Sequence, residues 1–485
     1  SKHKTGLNKL KSYRGAILLS ALTTIVGTGV LGFAGHPALK SIAILSVVGM
    51  ISVVTAALIV QPFLFKLLIE NRTAKGKPPL TWLDLFVTFR DFGWFFIGCI
   101  GLIISLPFFY FFPAKSASKR QLYNKMLSPL MQSVISMNTH VSQKWEDEEL
   151  AQLEKPAIII ANHTSFIDIL ACSGYDSRIL ILTNEWVWNS PFFGWPIRYA
   201  EYIRAKNNGD LNMEMIRRKI SEGYSILVFP EGTRSYDGKV RRFKKGAFKL
   251  AEELDLDILP LVLHGFHRVL NKGDYVVNRS HLNGRFLPRI KPDDKSFGDT
   301  YSQKAKLIGR HFKSEFEKDV IRLETPQFHN QWVRRCYTYK GPVLEWYVRI
   351  KLMLENNFED FIKRIPRDAK VYDLGCGYGY LSFMLAFTSE QRKVIGVDYD
   401  KEKVSVAANS FYQGRNVQFQ HVDLTTYNPE EADAYIIKDV LHYMTPSNQD
   451  ALLERCASKL NTGGTIIIRD GIEEDKKGQK ITAWT

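Results

Sequence analysis

The stretch AIIIANHTSFID, residues 157–168, decides how the middle of this chain is read. Its first five residues, 157–161, are small or apolar, too few for a helix and suited to a strand buried on both faces. Asn162, Thr164 and Ser165 are residue types that end a strand and cap the helix after it. The spacing predicts a helix beginning nearby, with His163 at its mouth and Asp168 just inside. Histidine titrates near neutral pH and can take a proton from an alcohol. A carboxylate on its other nitrogen fixes the tautomer and stabilises the imidazolium. Alone, the same two residues read equally well as a surface histidine beside a capping aspartate, so their neighbours decide.

Outward from this stretch, 225–229 reads as a second buried strand, and FPEGTRS, 229–235, as a polar turn at its end. Arg204 follows a short strand expected at 200–203, and Lys244, Lys245 and Gly246 lie just beyond the turn. Arginine offers bidentate phosphate contacts and lysine a point charge. Gly232 and Gly246 would let backbone N–H groups approach an anion. Lys244 and Lys245 taken by themselves are equally a solvated basic loop. No Gly-x-Ser-x-Gly elbow supplies a protein nucleophile.

Four blocks, NHTSFID, YIRA, FPEGTRS and ILPLVLHG, stand in this order over residues 141–324. Together they resemble the glycerol-phosphate and lysophosphatidic acid acyltransferase family, whose first block is His-x4-Asp. The resemblance implies an α/β acyltransferase domain with His163 as base and Asp168 as its partner. It implies that Arg204, Glu231, Gly232, Thr233 and Arg234 bind or position a phosphate-bearing acceptor, with Asn162 in support. The acyl donor would be acyl-ACP or acyl-CoA, attacked directly by the hydroxyl of a lysophospholipid-like acceptor. Ala200 and Glu201 depart from the family pattern, which has small or glycine residues there. That departure leaves an amino-acid lipid or an aryl-polyene pigment open as acceptors.

Further along, VYDLGCGYGYL, 371–381, is a strand running into a glycine turn, and VIGVDYD, 394–400, is a second strand ending in an acid. More strands are expected at 417–421, 434–437 and 465–468, a doubly wound α/β pattern preceded by a helix over 343–365. An NAD site would show G-x-G-x-x-G, whereas this turn reads Asp-x-Gly-x-Gly-x-Gly. The stretch 343–471 is similar to the class I S-adenosylmethionine-dependent methyltransferase family. The resemblance implies a Rossmann-like domain binding S-adenosylmethionine through Asp373, Gly375, Gly377, Gly379 and Asp398, with Asp423 at the adenine. A nonbinding Rossmann-like domain is the alternative. Asp439 and His442 sit where such folds often meet the substrate, but His442 is read as a local helix or packing residue rather than a base. The chain ends at Thr485, soon after the fifth strand, so the domain is expected to be incomplete.

Upstream, 15–34 and 41–65 carry no charged side chain and are long enough to span a bilayer, separated by the tight break Gly35-His36-Pro37. Lys2, Lys4, Lys9, Lys11 and Arg14 precede them, and Lys66, Arg72, Lys75 and Lys77 follow, which puts both ends in the cytoplasm. A third apolar stretch, 92–113, is rich in Phe and Trp and contains Pro107. Lys115, Lys119, Arg120 and Lys125 after it favour a re-entrant or interfacial segment over a full crossing. The text of 13–69 resembles the last two transmembrane helices of resistance-nodulation-division-type lipid exporters. With no initiator Met and an opening of Ser1-Lys2-His3-Lys4, the chain is expected to be a piece of a longer protein.

The 485 residues suffice for two or three domains, and a net charge of +15 admits nucleic acid, anionic lipid or anionic substrates as partners. Basic residues flanking apolar spans favour the membrane, and no nucleic-acid module is present. Cys99, Cys172, Cys336, Cys376 and Cys456 form no CxxC pair, so neither a zinc site nor a disulfide framework is expected. The expected organisation is multidomain. A membrane hairpin spans 1–69, a linker 70–135 holds the interfacial segment, and the acyltransferase covers 136–325. A second linker, 326–342, leads to a methyltransferase domain at 343–485. Both catalytic domains would face the cytoplasm from the inner membrane, with anionic lipid, acyl carrier protein and a lysolipid acceptor as partners and no metal. The competing reading is a noncatalytic accessory region of a lipid exporter.

Overall fold

The computed structural model describes residues 10–111, 113–205, 211–355, 358–412 and 414–471. The flanking bases Lys2, Lys4 and Lys9, and the end of the 343–485 segment, lie outside the described residues. The chain divides into two compact units, Trp82–Leu323 and Ser1–Thr81 with Glu324–Thr485.

Helices Tyr13–Phe33 and Pro37–Thr73 form a hairpin. His36 caps the second through Nδ1, which accepts the Ala38 N–H at 3.2 Å. The helices meet through small residues: Ala21 and Ala43 are buried, and a Cβ on Gly32 would touch Ala43 at 3.8 Å. Small residues let helix backbones approach where no hydrophobic effect drives association. Most of the other apolar side chains, Leu19, Val30, Leu45 and Phe63 among them, are exposed.

The 70–135 segment, expected as a linker, is largely helical. Helix Trp82–Phe111 buries a stripe of Val87, Asp91, Phe95, Cys99, Leu102, Leu106 and Phe109. Those spacings of three and four residues define one helix face. This face joins the same core as helix Ser116–Ser136 and the strands beyond it. The opposite face, with Leu83, Phe86, Phe89, Ile97 and Ile104, stays exposed and apolar. Total apolar content hides that division, which is why the sequence suggests a detached segment.

The unit's sheet has seven strands in the order β1-β7-β6-β2-β5-β3-β4. They are β1 (Val141–Glu146), β2 (Ile158–Ala161), β3 (Ile179–Thr183), β4 (Ile203–Arg204), β5 (Ser225–Val228), β6 (Ile258–His264) and β7 (Ser280–Phe286). The run β6-β2-β5-β3-β4 is parallel, and β7 returns antiparallel to β6. Pro260 is tolerated in β6 because the ladder to β7 starts only at Leu261. The strand expected at 200–203 is displaced: helix Gly194–Tyr199 runs up to its start, Glu201 turns the chain at φ +58°, and Arg204 lies in β4 rather than after it.

The second sheet has five parallel strands ordered β10-β9-β8-β11-β12. They are β8 (Lys370–Leu374), β9 (Lys393–Asp398), β10 (Val417–His421), β11 (Ala432–Lys438) and β12 (Leu460–Arg469). The expected helix over 343–365 is two, Pro342–Leu354 and Phe358–Arg364. The stretch 326–342, expected as a linker, holds helix Pro326–Arg335, whose Trp332 and Val333 enter this unit's core. All five cysteines are free and buried.

Candidate active sites

In a parallel sheet the strand ends carrying carbonyls open onto a crevice, where ligands bind. In the first unit that edge gathers four polar segments: 162–168 after β2, 229–235 after β5, 184–185 after β3, and Arg204 at the end of β4. Helix Ile167–Tyr175 starts where the spacing places it, with Asp168 in its first turn. Its cap position is Phe166, and Ser165 Oγ instead accepts the Ile167 N–H at 3.2 Å and donates to the Leu270 carbonyl at 2.8 Å.

His163 Nδ1 lies 2.9 Å from Asp168 Oδ2. That oxygen also accepts the N–H groups of Thr164 at 2.6 Å and Ser165 at 2.8 Å, and Asp168 is fully buried. A carboxylate held by two amides cannot rotate, so it fixes the imidazole. The ring stacks on Phe229 at 4.1 Å, a contact the sequence does not signal. With Nδ1 taken, Nε2 is the nitrogen left to exchange a proton.

The His163 backbone is held from both sides by the 229–235 turn. Its N–H donates to Glu231 Oε1 at 2.8 Å and its carbonyl accepts the Ser235 N–H at 2.9 Å. Glu231 Oε2 accepts the Arg241 N–H at 3.1 Å. Burial pushes the Glu231 carboxyl up to about 7 against those hydrogen bonds. Asn162 locks β2 to β6, giving its amide to the Leu263 carbonyl and accepting the Leu263 N–H. Gly232 stands at φ +75°, where a Cβ would strike the Lys244 side chain. Thr233 Oγ1 and the Arg234 carbonyl both accept from Lys272 Nζ, at 3.1 and 3.0 Å. Lys272 stands in none of the four blocks, so the sequence carries no signal for it.

Arg234, Arg241, Arg242, Lys244 and Lys245 make no ion pair among the described residues, leaving a basic rim beside the turn. Arg204 is committed differently, to Glu185 at 2.8 Å with Trp188 beneath it. An apolar cavity lined by Phe92, Phe95, Ile135, Phe166, Leu170 and Leu270 begins beside the helix that carries Asp168.

In the second unit the glycine turn after β8 carries three left-handed residues, Gly375, Gly377 and Gly379, at φ +78°, +55° and +76°. Val440 fills the space behind Gly375 and Phe419 that behind Gly379, whereas nothing stands within 4 Å of a Cβ on Gly377. The turn is therefore open on that side. Asp398, at the end of β9, accepts the Gly377 N–H at 2.7 Å and the Asp400 N–H at 2.8 Å. Asp373 is buried and accepts from Ser382 Oγ at 2.5 Å, and burial raises its carboxyl to about 6. This open cradle with an acid at its side fits a nucleoside cofactor. Asp423 sits in an exposed turn, its carboxylate accepting the N–H and hydroxyl of Thr425. Among the described residues no group of three or more His, Cys, Asp or Glu is gathered around a metal position.

Residues 142–264 match the family described as Acyltransferase, and 371–464 match that described as Methyltransferase domain. A 1-acyl-sn-glycerol-3-phosphate acyltransferase of Chlamydomonas reinhardtii is 31% identical over 26% of this chain and 39% of its own length. One of Limnanthes douglasii is 35% identical over 29% of this chain and 52% of its own. The chain thus spans about half or less of the curated relatives it matches. The 1-acyl-sn-glycerophosphate acyltransferase structure of Thermotoga maritima aligns at 21% identity with TM-score 0.42, over 48% of this chain and 95% of that one. A DhpI–SAH complex aligns at 19% identity with TM-score 0.24, over 31% of this chain and 71% of that one. The chain carries an acyltransferase domain and a methyltransferase domain, both enzyme domains.

Proposed function

We propose that this chain is a membrane-bound acyltransferase that moves an acyl group from acyl-ACP or acyl-CoA to the hydroxyl of a lysophospholipid-like acceptor of the 1-acylglycerol-3-phosphate type. The observation that carries this is the His163–Asp168 pair, held by main-chain bonds to the 229–235 turn. His163 Nε2 takes the hydroxyl proton, the alkoxide oxygen bonds to the thioester carbonyl carbon, and the thiolate leaves with a proton returned from the imidazolium. The basic rim of Arg234, Arg241, Arg242, Lys244 and Lys245 holds the acceptor phosphate. Glu231 acts through His163, fixing its backbone, rather than on the phosphate. The apolar cavity beside Phe166 and Leu170 takes the start of the acyl chain.

The hairpin of helices Tyr13–Phe33 and Pro37–Thr73, apolar on nearly all its surface, anchors the chain in the bilayer, in keeping with its resemblance to exporter helices. Lys66, Arg72, Lys75 and Lys77 at its end favour a cytoplasmic exit from the inner membrane. Helix Trp82–Phe111 has one face committed to the acyltransferase core, so its exposed apolar face lies along the lipid surface instead of crossing it. The acceptor then reaches His163 from the bilayer. Acyl carrier protein and anionic lipid are the partners this arrangement calls for.

The methyltransferase domain would hold S-adenosylmethionine at the turn of Gly375, Gly377 and Gly379, with Asp398 at the ribose hydroxyls and Asp373 bracing the turn through Ser382. When bound, that cofactor supplies an electrophilic methyl group. Asp423 holds Thr425 through Oδ1 alone, which leaves Oδ2 to accept from the adenine amino group.

One observation favours a non-phospholipid acceptor, such as an amino-acid lipid or an aryl-polyene pigment: Arg204 is paired with Glu185 instead of standing free for phosphate. Mass spectrometry of lipids and pigments from cells making the native chain or His163→Ala decides between them. A single acylated product lost in the variant identifies the acceptor. Undiminished product from a folded His163→Ala protein would sink the assignment of the base.

A further inference from the structure

A second histidine–carboxylate pair lies at the far edge of the five-stranded sheet. His442 follows β11 and Asp470 follows β12, neighbouring parallel strands, so residues far apart in sequence meet. His442 Nδ1 is 2.6 Å from Asp470 Oδ1. Asp470 Oδ2 accepts the N–H groups of Val440 at 3.2 Å and His442 at 3.3 Å, and Oδ1 accepts the Gly471 N–H at 2.8 Å. Burial pushes the Asp470 carboxyl up, but the His442 and backbone hydrogen bonds outweigh it and hold the group below the usual carboxylate range. The sequence suggests a local helix or packing residue at His442, and it does lie in the short helix Leu441–Tyr443. Its ring is partly exposed, with Nδ1 tied and Nε2 left over.

The pair also stands next to the cofactor turn. Val440, two residues before His442, occupies the space a Cβ on Gly375 would need, 2.1 Å from Val440 Cγ2. Asp439 turns the chain there at φ +55°. The cations on this edge are already engaged: Lys438 with Glu355 at 2.7 Å and Asp439 at 3.4 Å, and Arg469 with Asp439 at 4.0 Å. Neither competes with His442 for Asp470. Tyr443, exposed with its ring 4.0 Å from that of His442, offers an apolar surface beside it.

We infer that His442 and Asp470 form the proton-accepting pair of the methyl-acceptor site, and that the acceptor carries its proton on oxygen or nitrogen, as an alcohol, phenol or amine does. This rests on the proposed binding of S-adenosylmethionine by the same domain. The acceptor's lone pair forms the new bond to the methyl carbon, and the electron pair of the broken carbon–sulfur bond stays on sulfur. The heteroatom's proton goes to His442 Nε2 and then to water, with Asp470 stabilising the imidazolium.

The test uses the full chain. Cells carrying Gly377→Val, in which a side chain fills the open cofactor space, supply a lipid and pigment extract as the unmethylated probe. Purified native chain, His442→Gln and Asp470→Asn are given that extract with methyl-labelled S-adenosylmethionine. S-adenosylhomocysteine affinity is measured on each by calorimetry. The expected result is a loss of label transfer of about 100-fold or more in His442→Gln at neutral pH, the size of a general-base contribution. Asp470→Asn should lose less, S-adenosylhomocysteine should bind all three alike, and the His442→Gln rate should recover as pH rises and the acceptor ionises by itself. Transfer by His442→Gln within about threefold of native, or a loss matched by lost cofactor binding, overturns the pair's role. No S-adenosylhomocysteine binding by the native chain refutes the cofactor reading and this inference with it. Binding without label transfer by the native chain refutes the inference alone.

Discussion

Glu201 is the residue at which the resemblance and the structure give opposite forecasts. The family pattern has a small or glycine residue there, and Glu201 stands at φ +58°, in the left-handed region. Relief of that conformation alone would make Glu201→Gly stabilising by about 1 kcal/mol. The side chain argues the other way. Its carboxylate lies 2.6 Å from Lys219, 2.7 Å from Arg120 and 2.8 Å from Arg218. Burial raises this carboxyl, but the three cations together hold it below the ordinary range. The Lys219 side chain is 1% exposed and would keep Glu222, at 2.7 Å, as its carboxylate partner, with the Tyr224 ring 5.1 Å away. Stripping one partner from a buried ion pair costs about 3–5 kcal/mol, and the remaining Glu222 reduces that to about 2–3 kcal/mol. Less the backbone relief, Glu201→Gly should destabilise the unit by about 1–2 kcal/mol, lowering its melting temperature by roughly 3–6 °C. Thermal unfolding in detergent, followed by hydrogen exchange across 195–225, reads this directly. In a Lys219→Met background the penalty should shrink, because no buried ammonium is left behind. A rise in melting temperature for Glu201→Gly, or an equal penalty in both backgrounds, would refute the reasoning.

Other outcomes follow from the same geometry. Asp168→Asn should keep the fold and lower acyl-transfer kcat by about 100-fold or more, since an amide no longer orients the His163 tautomer; steady-state kinetics checks it. Glu231, whose native carboxyl sits near 7, binds more protons folded than unfolded between its ordinary value and that point. Its contribution to stability is therefore present at low pH and lost as pH rises through about 7, a slope that Glu231→Gln should flatten in melts across that window. Leu170→Trp, filling the apolar cavity, should shift the acyltransferase towards shorter acyl donors, measured by competing donors of different length. Gly265→Ala should fail to fold, because φ is +85° and its Cβ would lie 2.0 Å from the His281 carbonyl; soluble yield in detergent tests it.

The sequence by itself determined the order of the parts and the identity of the residues able to do chemistry. Apolar runs of four or five residues ending in polar turns are local signals, so β2, β5 and β8 and the turns after them were legible, whereas 258–264 was read only as a block of the resemblance and not as the strand β6. Charge-free runs marked the hairpin for the same reason. Tertiary structure decided what each residue does with its neighbours. Glu231 clamps the His163 backbone because β5 lies beside β2, and no spacing along the chain encodes that adjacency. Arg204 pairs with Glu185 because β3 and β4 are neighbours at the sheet edge. Helix Trp82–Phe111 divides its apolar surface between core and exterior only once helix Ser116–Ser136 and the sheet are in place. His442 shows the division most clearly: its partner Asp470 stands beyond a helix and a strand, so their pairing exists only after β11 and β12 align. Local propensity acts over a few residues, whereas a hydrogen bond between strand ends depends on sheet order, which is fixed by the packing of the whole domain.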